Sequence, residues 1–360
     1  MSGRRILALT TDSFGGRGGI ASYARDTIRT MAARDDVAEV VVVVSLMPDP
    51  PGTMPPGVRL IDQSRASKWG YAAAVVRLAL AGGFDAVWIA HASLAPLGWL
   101  AARRSGAQMG MTLHGSEVWR CGRASREWAM ARADLLMPVS RVTLDRFAAA
   151  RGEFERPFAI LPGAVDLSQF VPGPRPAALV GRYGLAGHRV LLTVSRIGQD
   201  YRDKGFSRII AQLPRLIERW PDLIYVIGGD GAERARIEAL ISAAGLQQHV
   251  IITGYIDQAE LADHYRLADA FILPSSGEGL GIVLLEAQAC GVPTIASSLD
   301  GGAEAVAGMG WTVDPDDAAA VERALSEAFA DARTRPVGIE EFAMDAFEAR
   351  MNATVDRLLA

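Results

Sequence analysis

Lysine is almost missing from this 360-residue chain: there are two, Lys68 and Lys204, beside 35 arginines. A lysine stands out against so arginine-biased a background. Cysteine is scarce as well. Cys121 and Cys290 alone cannot build a disulfide framework, which fits a reducing compartment. Aromatic residues make up 7% and charged residues 22%, while half of the chain is apolar; that is enough for two full cores and excludes a disordered polymer. No run of about 18 apolar residues occurs, so no transmembrane helix is expected. The first ten residues carry two arginines followed by only four apolar residues, Ile6 to Leu9, too few for the core of a signal peptide. These absences lead us to expect a cytoplasmic protein of about two ordinary domains.

The charge that is present is uneven. Residues 1–165 hold 20 Lys and Arg against 14 Asp and Glu, whereas residues 166–360 hold 17 against 27. A basic half suits something anionic, such as a membrane surface, a lipid-linked diphosphate or an acidic glycan; uneven surface charge is the plain alternative. Strand-like apolar runs alternate with helical patterns in both halves. Strands are expected at Ile6–Thr10, Glu39–Ser45, Val58–Ile61, Ala86–Ala90, Gly110–His114, Leu135–Val139 and Phe158–Leu161, then at Val190–Val194, Leu223–Ile227, Val250–Thr253, Ala270–Leu273, Thr294–Ser297 and Trp311–Val313. Pro162, Pro172, Pro174 and Pro176 mark a linker between the two series. The pattern predicts an α/β protein with two doubly wound, Rossmann-like domains, residues 1–165 and 189–338, facing across a cleft. Residues 166–188 would join them, and a last helix, Ile339–Leu359 (about 339–360), would pack back on the first domain.

Five segments could carry chemistry. Ser276-Gly-Glu278-Gly-Leu-Gly-Ile-Val-Leu-Leu-Glu286 follows a buried strand and runs into a helix, so Glu278 sits on a strand-to-helix loop and Glu286 inside the helix. Unpaired N–H groups at a helix start suit a phosphate, and carboxylates beside them suit sugar hydroxyls, which points to a nucleotide-sugar site. The loop Gly15-Gly-Arg-Gly18-Gly19 follows the first strand; its spacing is not the G-x-G-x-x-G of dinucleotide folds, and a purely structural loop is the alternative. His114, in His-Gly-Ser-Glu117, ends a strand where open α/β sheets place ligands, although an isolated histidine there can be structural. Arg196 and Lys204 flank a polar loop after the first strand of the second series, and two cations there suit a diphosphate; two solvated charges are the bland reading. Gly228-Gly229-Asp-Gly231 and Asp300-Gly-Gly302 with Glu304 follow two other strands.

In this order the segments resemble the retaining glycosyltransferases of family 4, with the GT-B fold. The resemblance runs from about Ile6 to Val313 and includes Gly291-Val-Pro293, Ala133-Asp-Leu-Leu-Met-Pro-Val-Ser140 and Pro162-Gly-Ala-Val-Asp166, where Pro162 stands in place of the family's usual Asn. It implies a metal-independent hexosyltransferase that needs no cofactor and moves a sugar from a nucleotide diphosphate sugar to a glycan or lipid-linked acceptor, in cell-surface polysaccharide or glycolipid synthesis. By motif position, Arg196 and Lys204 would hold the diphosphate and Glu286 the ribose. Glu278 would lie near the donor sugar, with the N–H groups of Gly279, Leu280 and Gly281 around it and Gly229 lining the same site. Gly18 and Gly19 would lie near the diphosphate and His114 near the transferred sugar. Three arginines and two tryptophans between Val118 and Trp128 suggest a peripheral location on the inner face of the cell membrane, an anionic surface, or else buried tryptophans in a helix. No nucleic-acid partner is implied. A nucleotide-sugar epimerase of the same fold and a catalytically silent sugar-nucleotide-binding subunit are the alternatives; a phosphorylase would need a pyridoxal lysine, for which two lysines leave little room.

Overall fold

The computed structural model describes residues 3–152, 156–198 and 204–360. Two compact units emerge, one made of Met1–Ala164 with Asp345–Ala360 and the other of Val165–Met344. Each is built on a six-stranded, all-parallel sheet.

In the first unit the strands are β1 (Arg4–Asp12), β2 (Val37–Leu46), β3 (Val58–Asp62), β4 (Ala86–Ile89), β5 (Gln108–Leu113) and β6 (Leu135–Pro138), in the order β3-β2-β1-β4-β5-β6. β2 contains five consecutive valines, Val40 to Val44, all fully buried. A continuous apolar run of this kind fits a parallel strand covered on both faces. Helices α1 (Gly19–Ala32), α2 (Lys68–Ala81), α3 (Ala95–Ser105), α4 (Ala124–Met130) and α5 (Arg141–Ala149) provide the cover, together with the last helix of the chain, α13 (Met344–Leu359). From α13, Phe347 stacks edge-on to Tyr23 of α1 at 5.7 Å, and Asp356 pairs with Arg34 at 2.7 Å.

The second unit has β7 (Arg189–Val194), β8 (Leu223–Gly228), β9 (Val250–Gly254), β10 (Ala270–Leu273), β11 (Thr294–Ser297) and β12 (Trp311–Val313), ordered β12-β11-β10-β7-β8-β9. Its helices are α6 (Ala177–Tyr183), α7 (Phe206–Arg219), α8 (Arg234–Ala243), α9 (Gln258–Leu267), α10 (Ile282–Ala289), α11 (Gly302–Ala305) and α12 (Ala318–Ala330). In α7 the buried residues Phe206, Ile209, Ile210, Leu213 and Leu216 recur at the spacing of one helix face. Among the described residues, no helix is long and apolar enough to cross a membrane.

Three elements differ from the sequence reading. Phe158–Leu161 is not a strand: it runs beside β6, giving N–H groups of Ala159 and Leu161 to Leu136 and Pro138, but only Phe158 forms a bridge. Pro157 and Pro162 bracket the segment and cannot donate, so the ladder stops. The proline-rich stretch 166–188 contains α6, entered from Pro176 and closed by left-handed Gly184. This stretch is docked rather than loose: Arg182 grips Glu260 with two bonds of 2.9 Å, and the Tyr183 hydroxyl meets His264 Nε2 at 3.0 Å. The expected helix over 339–359 breaks at Ala343, which is extended between a 3-10 turn at Ile339–Phe342 and α13.

Candidate active site

Strand order in the second sheet reverses between β7 and β10. Loops leaving the C-terminal ends of two such strands diverge and leave a crevice, where doubly wound folds bind their ligands. Lys204 follows β7 and Glu278 follows β10, and their side chains join in an ion pair across this point. Lys204 is 9% exposed, so the amine is held in place rather than waving in solvent. Gly205 makes the approach feasible. Its φ is +79°, and a Cβ there would lie 2.0 Å from the carbonyl oxygen of Pro274, at the start of the Glu278 loop. Arg196 is exposed just beyond β7, and residues 199–203, between it and Lys204 in the sequence, lie outside the described part of the chain.

The Gly229 loop buttresses Arg196. Ser195 N–H donates to Gly228 and Ile197 N–H to Asp230, at 2.9 and 3.0 Å, so the main chain on both sides of Arg196 is tied to the loop after β8. A Cβ on Gly229 would lie 1.9 Å from Ser195 O, which is why glycine stands there. Beyond Glu278, Gly279 and Leu280 are buried, and Gly281, in a left-handed conformation, caps the start of α10.

One turn into α10, Glu286 accepts a 2.6 Å hydrogen bond from the hydroxyl of Tyr265, which is fully buried on α9. The residue is half-buried, but its carboxyl is enclosed densely enough for burial to push its pKa up to about 7; the Tyr265 bond pulls the other way. Burial, with the Glu286 charge beside it, drives the Tyr265 phenol well above its ordinary value, so it stays a donor.

The other motif residues lie in the first unit. Gly18 caps the start of α1 and Gly19 opens it, and both are exposed. Arg25 of α1 holds their loop from behind, donating to the carbonyls of Ser13 and Gly16 at 3.0 and 2.9 Å. His114 lies just beyond β5. Its Nε2–H donates to Ala90 O at 2.8 Å, its ring meets Tyr23 edge-on at 5.2 Å, and its N–H is accepted by Glu117 at 2.7 Å. Burial pushes its pKa down to about 4, so the ring is neutral at physiological pH and Nδ1 keeps a lone pair.

Thus Lys204 and Glu278 are in contact, Arg196 also follows β7, and Gly279, Leu280, Gly281 and Glu286 continue the chain from Glu278 into α10; Gly18, Gly19 and His114 belong to the other unit. One contributor escaped sequence reasoning: Tyr265 reads as one more apolar position of an amphipathic helix. Asp300 belongs to one of the five candidate segments, but the sequence offered no role for it. Among the described residues, no group of three His, Cys, Asp or Glu side chains is placed to hold a metal ion.

Residues 186–341 match the family described as Glycosyl transferases group 1, and residues 17–169 the one described as Glycosyltransferase Family 4. A GDP-mannose-dependent alpha-(1-6)-phosphatidylinositol monomannoside mannosyltransferase of Mycolicibacterium smegmatis is 37% identical over 265 residues, 69% of this chain and 68% of that protein. A protein of the same description from Mycobacterium tuberculosis is 31% identical, with 93% of this chain and 91% of that one covered. Among solved structures, the sucrose-phosphate synthase of Thermosynechococcus elongatus has a TM-score of 0.81 at 23% identity, covering 99% of each chain. Anabaena HepE, solved with UDP and glucose, has a TM-score of 0.78 at 18% identity, covering 99% of this chain and 100% of its own; at such identities the likeness is one of fold. Two Rossmann-like domains of this kind define the GT-B class of nucleotide-sugar glycosyltransferases. Within that class, the chain belongs to the group 1 and family 4 glycosyltransferases.

Proposed function

We propose that this enzyme is a retaining mannosyltransferase that moves mannose from GDP-mannose to a phosphatidylinositol mannoside or a closely related inositol-headed lipid. The observation that carries the site assignment is the Lys204–Glu278 pair at the β7/β10 switch point. The substrates rest on the likeness to the two mycobacterial enzymes, and to a D-inositol 3-phosphate glycosyltransferase of Geodermatophilus obscurus that is 30% identical.

An arriving diphosphate takes Lys204 and Arg196 and displaces the Glu278 carboxylate, which is then free to accept bonds from the mannose hydroxyls. The N–H groups of Gly279, Leu280 and Gly281 surround the sugar and its phosphate, Gly229 lines the nucleotide, and Glu286 accepts from the ribose hydroxyls. By their place in the family's motifs, Gly18 and Gly19 are assigned to the diphosphate and His114, neutral at physiological pH, to the transferred sugar. As the bond from the anomeric carbon to the diphosphate oxygen breaks, negative charge grows on the departing GDP, where fixed cations and N–H groups stabilise it. The acceptor hydroxyl attacks from the same face, its oxygen bonds to the anomeric carbon, and its proton passes to the departing phosphate oxygen. Arg196 and Lys204 supply the positive charge, so the reaction proceeds without a metal.

Membrane-bound acceptor calls for a peripheral enzyme on the cytoplasmic face. A candidate docking surface exists on α2, α3 and α4, which pack side by side. Trp69 is 85% exposed, Arg103 and Arg104 are exposed, and half-exposed Trp128 has Arg132 stacked on it at 4.0 Å.

The test is a transfer assay with phosphatidylinositol monomannoside in mixed vesicles and GDP-mannose, UDP-glucose or ADP-glucose as donor. We expect an α-linked mannolipid from GDP-mannose, unchanged by EDTA. The Lys204→Ala variant should turn over about 10²-fold or more slowly. Preference for another donor, a β-linked product, or wild-type turnover in that variant would overturn the proposal.

A further inference from the structure

Asp300, in the loop after β11, is 2% exposed, the lowest of any carboxylate among the described residues. Its Oδ2 accepts the Glu278 N–H at 2.9 Å and the Ser275 hydroxyl at 2.7 Å, and its Oδ1 accepts the Gly302 N–H at 3.0 Å. The neighbouring Gly301 N–H in turn donates to Glu278 O at 2.9 Å. Both main-chain polar groups of Glu278 are therefore taken by the loop after β11. The two loops are in van der Waals register: a Cβ on Gly301 would lie 1.9 Å from Gly279 O. Burying an ionised carboxylate is costly unless donors meet its charge, and here two N–H groups and a hydroxyl do so.

We propose that Asp300 is a positioning residue for the donor sugar. By gripping the main chain at Glu278, it sets where the Glu278 carboxylate and the following N–H groups meet the transferred sugar, while the nucleotide remains in the hands of Arg196 and Glu286. This rests on the reading that residues 278–281 receive the donor sugar. Asp300 does not touch substrate; it acts through the loop it holds. A carboxylate that merely stabilised the fold would, when removed, lower the melting temperature and weaken every ligand alike. A positioning residue separates the ligands instead. Loss of its three bonds lets the Glu278 loop drift, and a misplacement of about 1 Å can cost about 10²-fold in rate.

The experiment compares the full-length wild type with Asp300→Ala, Asp300→Asn and Ser275→Ala, measuring GDP affinity by calorimetry and kcat and KM for GDP-mannose. We expect GDP affinity to be retained in all three variants. Asp300→Ala should lose about 10²-fold in kcat/KM. Asp300→Asn keeps an acceptor oxygen and should fall between wild type and alanine, as should Ser275→Ala, which removes one donor and stays measurable if the alanine variant does not fold. Equal losses for GDP and GDP-mannose, or wild-type turnover in Asp300→Ala, would overturn the inference and leave the donor site standing. A wild-type protein that binds no nucleotide would sink the donor site, and the inference with it.

Discussion

Glu286 carries the sharpest consequence at the scale of single residues. Its carboxyl titrates near 7 in the folded chain against an ordinary value of 4.5. It therefore binds its proton more tightly when folded, and the stability it contributes falls as the pH rises from about 4.5 to about 7. In the proposed ribose-binding role function runs the other way, because only the ionised carboxylate can accept from both ribose hydroxyls. We expect GDP affinity, measured by calorimetry from about pH 5.5 to about 8.5, to gain an increment on passing pH 7 that Glu286→Gln lacks. Identical profiles for the two proteins would refute the ribose assignment. Tyr265→Phe should raise that midpoint further and cost about 1–3 kcal/mol in stability, since it leaves a buried acceptor without its donor. Sequence alone reached Glu286 through its spacing from Glu278, and Lys204 through its rarity. It missed Tyr265, and gave the Asp300 segment no role, because what each residue does depends on a partner 21 or 22 residues away in the chain, brought close only by the fold. Nothing in a helical tyrosine or a turn aspartate announces such a partner.

Among elements, the loops at the strand ends do the positioning, and Gly205 is their most exacting residue. In Gly205→Ala the new Cβ cannot fit against Pro274, so the Lys204 loop must move away from Glu278. Circular dichroism should stay near wild type while nucleotide affinity falls by about tenfold or more, as when a charge-assisted contact is lost. Gly245→Ala is the matched control. It has φ +69° but open space around it, so it should cost only the left-handed strain of roughly 1–2 kcal/mol and leave affinity untouched. Equal binding defects in both variants would refute the steric argument. The strands themselves were legible: the valine run of β2 and the apolar tetrad of β10 are buried on both faces, and that burial writes itself into composition. Phe158–Leu161 was misread because its apolar residues look like a strand while the prolines at its ends deny it one. Helix α6 was hidden for a related reason: proline outside a helix start and glycine past its end are the same residues that mark a linker.

At the scale of the whole molecule, the proposed membrane contact rests on α2, α3 and α4, whose exposed residues include Trp69, Arg103 and Arg104. Vesicles of phosphatidylcholine and phosphatidylinositol should carry the protein into the pellet at low salt. They should release it as salt shortens the screening length from about 10 Å at 0.1 M to about 3 Å at 1 M. Trp69→Ala should weaken this binding, and Val337→Ala, which alters an equally exposed apolar residue of the second unit, should not. No binding at low salt would remove the membrane from the proposal. The two units also differ in how the chain supplies them. The second is one continuous stretch, whereas the first needs its final sixteen residues, whose Phe347, Met351, Val355 and Leu358 are completely buried. During synthesis at about 5–20 residues per second, the ribosome spends roughly 10–40 s on everything after residue 164 before that helix can emerge. The part made first is thus finished last. Until those residues are made, the apolar positions they cover in the first unit have no partner helix, while the later unit already has all of its chain.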